Sequence, residues 1–208
     1  MAGAATSKPG DARYGAGVPT STTLPPLSVL DLFPVAAGAR PSQAIHDGVA
    51  LAQLAERLGY HRYWVAEHHN MPGIATAAPE VIIAHVAAVT STIRVGAGGI
   101  MLPNHTPLRV VELFRTLEAL HPGRIDLGLG RAPGTDQVTS AALRRQGRGE
   151  VNDLLAELLA FAEGGFPAGH PYAAIVAMPD DVPLPPIYML GSTTAGAAIG
   201  AELGVGVV

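Results

Sequence analysis

Short apolar runs and helix-period segments take turns along this chain from Leu27 onward, and that alternation restricts its fold more than any other feature. Strand-like runs lie at Leu27–Leu32, Arg62–Ala66, Ile93–Leu102, Arg124–Gly130, Ile187–Leu190 and Val205–Val208. The segments between them repeat apolar residues every three or four positions, the period of a helix with one buried stripe. Pro41, Pro79 and Pro107 each stand where a helix tolerates proline, in its first turn. Gly59, Gly123 and Gly164 stand where helices end. The predicted stripes are Ile45, Val49, Leu51, Ala52, Leu54 and Leu58 on the first helix, then Val81, Ile82, Ala84, His85, Val86 and Val89 on the second. Val110, Leu113, Phe114, Leu117 and Leu120 form that of the third. A fourth long helix is predicted over Glu150–Ala162 and a last one near Ala195–Leu203. Strand and helix in strict alternation mean right-handed βαβ units and a parallel sheet. A doubly wound sheet is complete with about five or six strands, whereas a (β/α)8 barrel would lack about two units. On composition alone the doubly wound sheet comes first.

The chain has 208 residues, 48% hydrophobic and 14% charged, with a formal net charge of -4, which suits one globular domain with a sizeable core. A mildly acidic balance gives no footing for nucleic acid, so no nucleic-acid partner is expected. The one basic cluster, Arg144-Arg145-Gln146-Gly147-Arg148, is short and reads as a solvated loop. Cysteine is absent, which excludes disulfides and thiolate metal sites and fits a cytoplasmic location. No apolar run is long enough to span a bilayer, so no membrane partner is expected either. Residues 1–24, rich in Gly, Ala, Ser, Thr and Pro, read as a disordered leader, with the folded domain over 25–208.

Chemistry concentrates where the second strand ends. Tyr63-Trp64-Val65-Ala66 runs directly into Glu67-His68-His69, and parallel sheets and barrels keep their chemistry at the carboxyl ends of strands. Histidine changes charge nearest neutral pH. Taken alone, an adjacent histidine pair reads first as a capped strand end with satisfied imidazoles. A metal-dependent hydrolase with Glu67, His68 and His69 as ligands is disfavoured, because adjacent residues of a strand point to opposite faces; no metal is expected.

Glycines mark the other strand ends. Gly128, Gly130 and Gly134 do not match a nicotinamide fingerprint: their spacing is wrong, Pro133 interrupts, and the segment lies on the fourth strand. Gly96, Gly98 and Gly99 sit inside the third strand, where glycine signals either a bulge or a close approach of backbone to a ligand.

Three blocks together carry a resemblance: Trp64-Val65-Ala66-Glu67-His68-His69-Asn70-Met71, Gly98-Gly99-Ile100-Met101-Leu102-Pro103-Asn104-His105, and Pro122 to Gly134. From about Leu27 to Leu203 the chain resembles the bacterial-luciferase-like flavin-dependent monooxygenases, most nearly the short luciferase-like oxidoreductases. The resemblance implies a (β/α)8 barrel of TIM type. It also implies FMN, reduced by a separate flavin reductase, which with molecular oxygen forms a flavin peroxide that oxidises a small organic substrate. His68 matches the catalytic histidine, with Glu67 beside it at the cofactor. Gly98-Gly99 matches a non-prolyl cis peptide against the flavin ring. Gly130 and Arg131 match residues near the ring and its phosphate side, and Gly191, Ser192 and Thr193 the turn that receives the phosphate. A homodimer is implied for full-length relatives. The deazaflavin F420 is the rival cofactor, and a shortened, non-catalytic flavin-binding protein the rival function. Departures exist as well. Thr193-Thr194-Ala195-Gly196 replaces the serine and nearby tyrosine usual after Gly191-Ser192, and Arg148–Val151 looks shortened. Val205-Gly206-Val207-Val208 predicts a chain cut in mid-strand, with about six barrel strands present and no stable, active monomer.

Overall fold

The computed structural model describes residues 25–143, 150–191 and 194–207. Its strands are β1 (Ser28–Asp31), β2 (Arg62–Val65), β3 (Arg94–Met101), β4 (Ile125–Gly130), β5 (Ile187–Met189) and β6 (Gly206–Val207). The helices are α1 (Pro41–Arg57), α2 (Pro79–Ala88), α3 (Pro107–Leu120), α4 (Gln137–Leu143), α5 (Val151–Glu163) and α6 (Thr194–Leu203). Proline occupies the first turn of α1, α2 and α3, and α5 ends on Gly164 in the left-handed conformation.

Every strand pair is parallel, and the spatial order is β1-β2-β3-β4-β5-β6. This order decides between the two architectures. A doubly wound sheet reverses its order at a switch point and carries helices on both faces. Strands laid down in sequence, joined by crossovers of one hand, keep all helices on a single face. Curvature is visible directly: Trp64 on β2 meets Tyr188 on β5 edge to face at 5.3 Å, although β3 and β4 lie between them. Only a sheet curled into a barrel wall brings those rings together. The architecture is α/β of TIM-barrel type, as the resemblance implies, with six strands among the described residues; strand order corrects only the doubly wound sheet that composition alone favours.

The core lies between the outer face of the sheet and the helices. Tyr63, Val65, Val95, Ala97, Ile125, Leu127 and Leu129 are fully buried there against Ile83, Val86, Val111, Phe114 and Leu158. The buried stripe of α1 differs from the sequence expectation. Ala44, Gly48, Ala52 and Ala55 face the sheet, while Ile45, Leu51, Leu54 and Leu58 are exposed. The reason is Phe33, whose ring packs where a Cβ on Gly48 would stand, so only small residues let the helix approach. Val81, Val89 and Leu120, also expected inside, are exposed as well.

The inner face carries an ionic knot near the amino ends of the strands. Asp126, fully buried, accepts from Arg62 Nε at 2.7 Å and from Arg94 Nε and Nη2 at 2.9 and 2.6 Å. Arg62 also donates to the Tyr188 hydroxyl at 2.9 Å and lies over the Trp64 and Tyr188 rings. Above the knot, β3 shifts register against β4 between Ala97 and Ile100, and the Gly98–Gly99 peptide is cis, as the resemblance implies. Glycine is required at position 128 because a Cβ there would fall on the Ala97 carbonyl oxygen.

Candidate functional site

Parallel strands place the segments after β2, β3 and β4 at one rim, and their contacts show that they converge. Glu67, two residues past β2, is fully buried. Its Oε2 accepts the backbone N–H of Met101 at 2.8 Å and its Oε1 the side-chain amide of Asn104 at 3.1 Å. The Nε2 of His105 lies 3.0 and 2.9 Å from the two oxygens, and Nε2 of His69 lies 2.9 Å from Oε1. Asn104 also donates to the Pro133 carbonyl at 2.8 Å, which ties the loop after β4 into the same cluster.

A carboxylate withdrawn from water this completely needs several strong partners. Burial pushes the Glu67 carboxyl upward. The hydrogen bond and charge of His105, with the bonds from His69 and the Met101 N–H, outweigh that and hold it below its ordinary value. Both oxygens are engaged. Glu67 is therefore held firmly beneath the rim, mostly by donors that arrive from β3 and the turn after it.

His69 is equally committed. Its imidazole turns to Glu67, its N–H donates to Gly134 O at 3.3 Å, and its carbonyl accepts from Thr135 Oγ1 at 2.8 Å. His68 is fixed through its backbone N–H, which donates to Thr76 O at 3.0 Å. Its imidazole is half-buried, and Nδ1 is buried without a partner among the described residues. Thr76 Oγ1 and Asn104 Oδ1 share that condition. At the β2 tip, Glu67 Oε1 and His69 Nε2 are paired with each other, while the buried Nδ1 of His68 has no partner among the described residues. Neighbouring imidazoles that part in this way do not converge on one ion. Among the described residues, no group of three or more His, Asp or Glu side chains could hold a metal.

The other expected residues fall as follows. Gly98 and Gly99 lie inside β3, just below the rim. In the direction of a side chain each is hemmed in by protein: a Cβ on Gly98 would meet Trp64 at 2.8 Å, and one on Gly99 the Gly128 carbonyl and Leu190, each at 2.8 Å. Gly130 ends β4, Arg131 follows half-buried, and Gly191 is exposed two residues after β5. Ser192 and Thr193 lie outside the described residues, as do residues 1–24 and the cluster Arg144–Arg148. Sequence reasoning overlooked Asn104 and His105 as site residues. Their signal is positional: a polar pair directly after a strand, at the same level as Glu67-His68.

The family model for luciferase-like monooxygenases matches residues 26–208. The chain belongs to that family. A luciferase-like monooxygenase of Escherichia coli K12 is 47% identical over 178 residues, spanning 86% of this chain and 53% of the relative. The N-acetyl-S-alkylcysteine monooxygenase of Bacillus subtilis is 43% identical over 185 residues, spanning 88% and 55%. Among solved structures, apo-MsnO8 superposes with a TM-score of 0.78 at 41% identity, covering 87% of this chain and 54% of that one. Two relatives at 18% identity share the fold alone. The oxygenating constituent of 3,6-diketocamphane monooxygenase from Pseudomonas putida, in complex with FMN, has a TM-score of 0.70 over 87% of this chain and 56% of that one. An F420-dependent secondary alcohol dehydrogenase has 0.60 over 83% and 54%. This luciferase-like chain spans about half the length of the curated relatives it matches.

Proposed function

We propose that this protein acts as an FMN-dependent monooxygenase, using reduced flavin and molecular oxygen to oxidise a small organic substrate. The observation that carries this reading is His68: a half-buried imidazole at the carboxyl end of β2, with a buried Nδ1 unpartnered among the described residues, beside a Glu67 whose two carboxylate oxygens are both engaged. Three buried polar atoms without partners, on His68, Thr76 and Asn104, fit a ligand with hydrogen-bonding edges such as a flavin. When bound, reduced FMN supplies the electrons that activate oxygen. His68 holds or delivers a proton at a ring nitrogen as general acid or base, a task that suits a near-neutral imidazole. Gly98-Gly99, Gly130 and Arg131 would line the flavin ring, and Gly191, Ser192 and Thr193 would receive its phosphate. The flavin would arrive reduced from a separate reductase, and the active assembly would be a homodimer in the cytoplasm. F420 is the rival cofactor, because the same fold serves an F420-dependent alcohol dehydrogenase.

The test is to titrate the whole chain with FMN and, separately, with F420, following cofactor fluorescence. Chemically reduced FMN is then supplied in air with a panel of small organic compounds, thioethers included. Tighter binding of FMN and oxygen uptake coupled to an oxidised product are expected. Binding of F420 alone would overturn the reading. Flavin oxidation with no organic product would favour a non-catalytic flavin-binding protein.

A further inference from the structure

We infer that Asn104 and His105, acting through the Glu67 carboxylate, are positioning residues that hold the His68 imidazole at the rim. The inference rests on the assignment of His68 as the acid–base group and extends it to residues on another strand. Among the described residues, the polar tether of His68 itself is the backbone bond to Thr76. Its two neighbours in the chain are each held by several bonds. Glu67 is locked from β3 and the turn after it by the Met101 N–H, the Asn104 amide and the His105 imidazole. His69 is locked by Glu67 on one side and by Gly134 and Thr135 on the other.

Asn104 bridges Glu67 and the Pro133 carbonyl, so one side chain sets the spacing of the segments after β2, β3 and β4. His105 reaches both carboxylate oxygens from a single nitrogen, which fixes the rotation of the carboxylate. Rotating the carboxylate would release His69 Nε2 and free both flanks of His68. Reacting groups tolerate little displacement: about 1 Å of misplacement costs on the order of 10²-fold in rate.

The experiment compares His105→Leu, which removes the donor, with His105→Gln, whose amide reaches a similar place. The first readout needs no cofactor. In the whole chain labelled with 15N-histidine, His105→Leu should move the His68 ring and backbone resonances, and His105→Gln should return them toward the parent. Should His105→Leu fail to fold, Asn104→Ala removes one donor, leaves His105 in place and reads the same resonances. The second readout is turnover with reduced FMN. His105→Leu should lower kcat by up to about 10²-fold with little change in FMN affinity. In a His68→Ala background the same substitution should cost nothing further, because residues acting as one unit are not additive. Unmoved His68 resonances, or losses that add in the double variant, would overturn the inference. A parent chain without FMN turnover would instead sink the monooxygenase reading, and the resonances would still decide whether His105 positions His68.

Discussion

At the scale of single residues, the β2 tip divides labour among three adjacent side chains that composition treats alike. Glu67 is an anchor, His69 a strut, and His68 keeps a ring nitrogen free. His68→Ala should therefore leave FMN affinity nearly intact while lowering product formation by about 10²-fold or more, the scale of a lost general acid–base group. Turnover equal to the parent, measured with chemically reduced FMN, would remove His68 from the mechanism. Glu67→Ala should behave differently. It strands His105, His69 and the Met101 N–H around a buried void, so its first effect should be a loss of stability of about 3 kcal/mol or more, read as a lowered urea midpoint. A Glu67→Ala chain with parental stability would show that the cluster is not an anchor.

At the scale of elements, the join between α1 and β3 depends on one carboxylate. Glu56, near the end of α1, accepts the backbone N–H groups of Ser91, Thr92 and Ile93 at 2.8, 2.6 and 3.0 Å, and the Thr92 hydroxyl at 3.1 Å. Burial pushes its carboxyl up, but those donors outweigh burial and bring it from 4.5 down to about 2. A carboxylate depressed in the folded state stabilises the fold above its unfolded pKa, and that contribution fades as pH falls through the folded value. Stability from this join should thus be complete above about pH 4.5 and lost progressively toward about pH 2. Comparing urea unfolding of the parent and Glu56→Gln across that window checks it: the difference between them should shrink as the pH drops, and a constant difference would refute the clasp.

At the scale of the whole molecule, the barrel wall is held from inside by the Asp126 knot. Its partners come from β2 and β3, with Tyr188 of β5 linked through Arg62. Asp126→Ala leaves two guanidiniums without their counter-ion in a partly buried place, and should cost about 3 kcal/mol at unchanged denaturant slope. Refolding of the variant at the parental urea midpoint would contradict this. Among the described residues, β1 and β6 pair on one side only, and Leu30, Leu51, Leu54 and Leu58 near the β1 edge are exposed. Open strand edges beside uncovered apolar surface drive association. The 208-residue chain is expected to associate as its concentration rises. Light scattering that reports a monomer at every concentration would disprove this.

How much of this was legible in the chain follows from the range over which each signal acts. The alternation of apolar runs with helix-period segments, the prolines opening α1, α2 and α3, and the charged tip after β2 are local, and local patterns survive in sequence. By itself the sequence therefore determined a parallel α/β chain, the strand end where a carboxylate and two imidazoles stand together, and the family. Strand order is not local: whether β1 through β6 run in sequence or reverse depends on pairings that no periodicity records, so periodicity left barrel and doubly wound sheet open, the family resemblance pointed to the barrel, and the folded molecule shows it. The buried face of α1 was misjudged for a related reason. Its large apolar residues form the more obvious stripe, but the Phe33 ring fills the space a side chain at Gly48 would need, and the small residues Ala44, Gly48, Ala52 and Ala55 face the sheet. The partners of Glu67 were likewise decided by the tertiary structure, because three of its donors stand 34 to 38 residues further along, on Met101, Asn104 and His105. A chain records what each element needs, and only the folded molecule shows which distant residue supplies it.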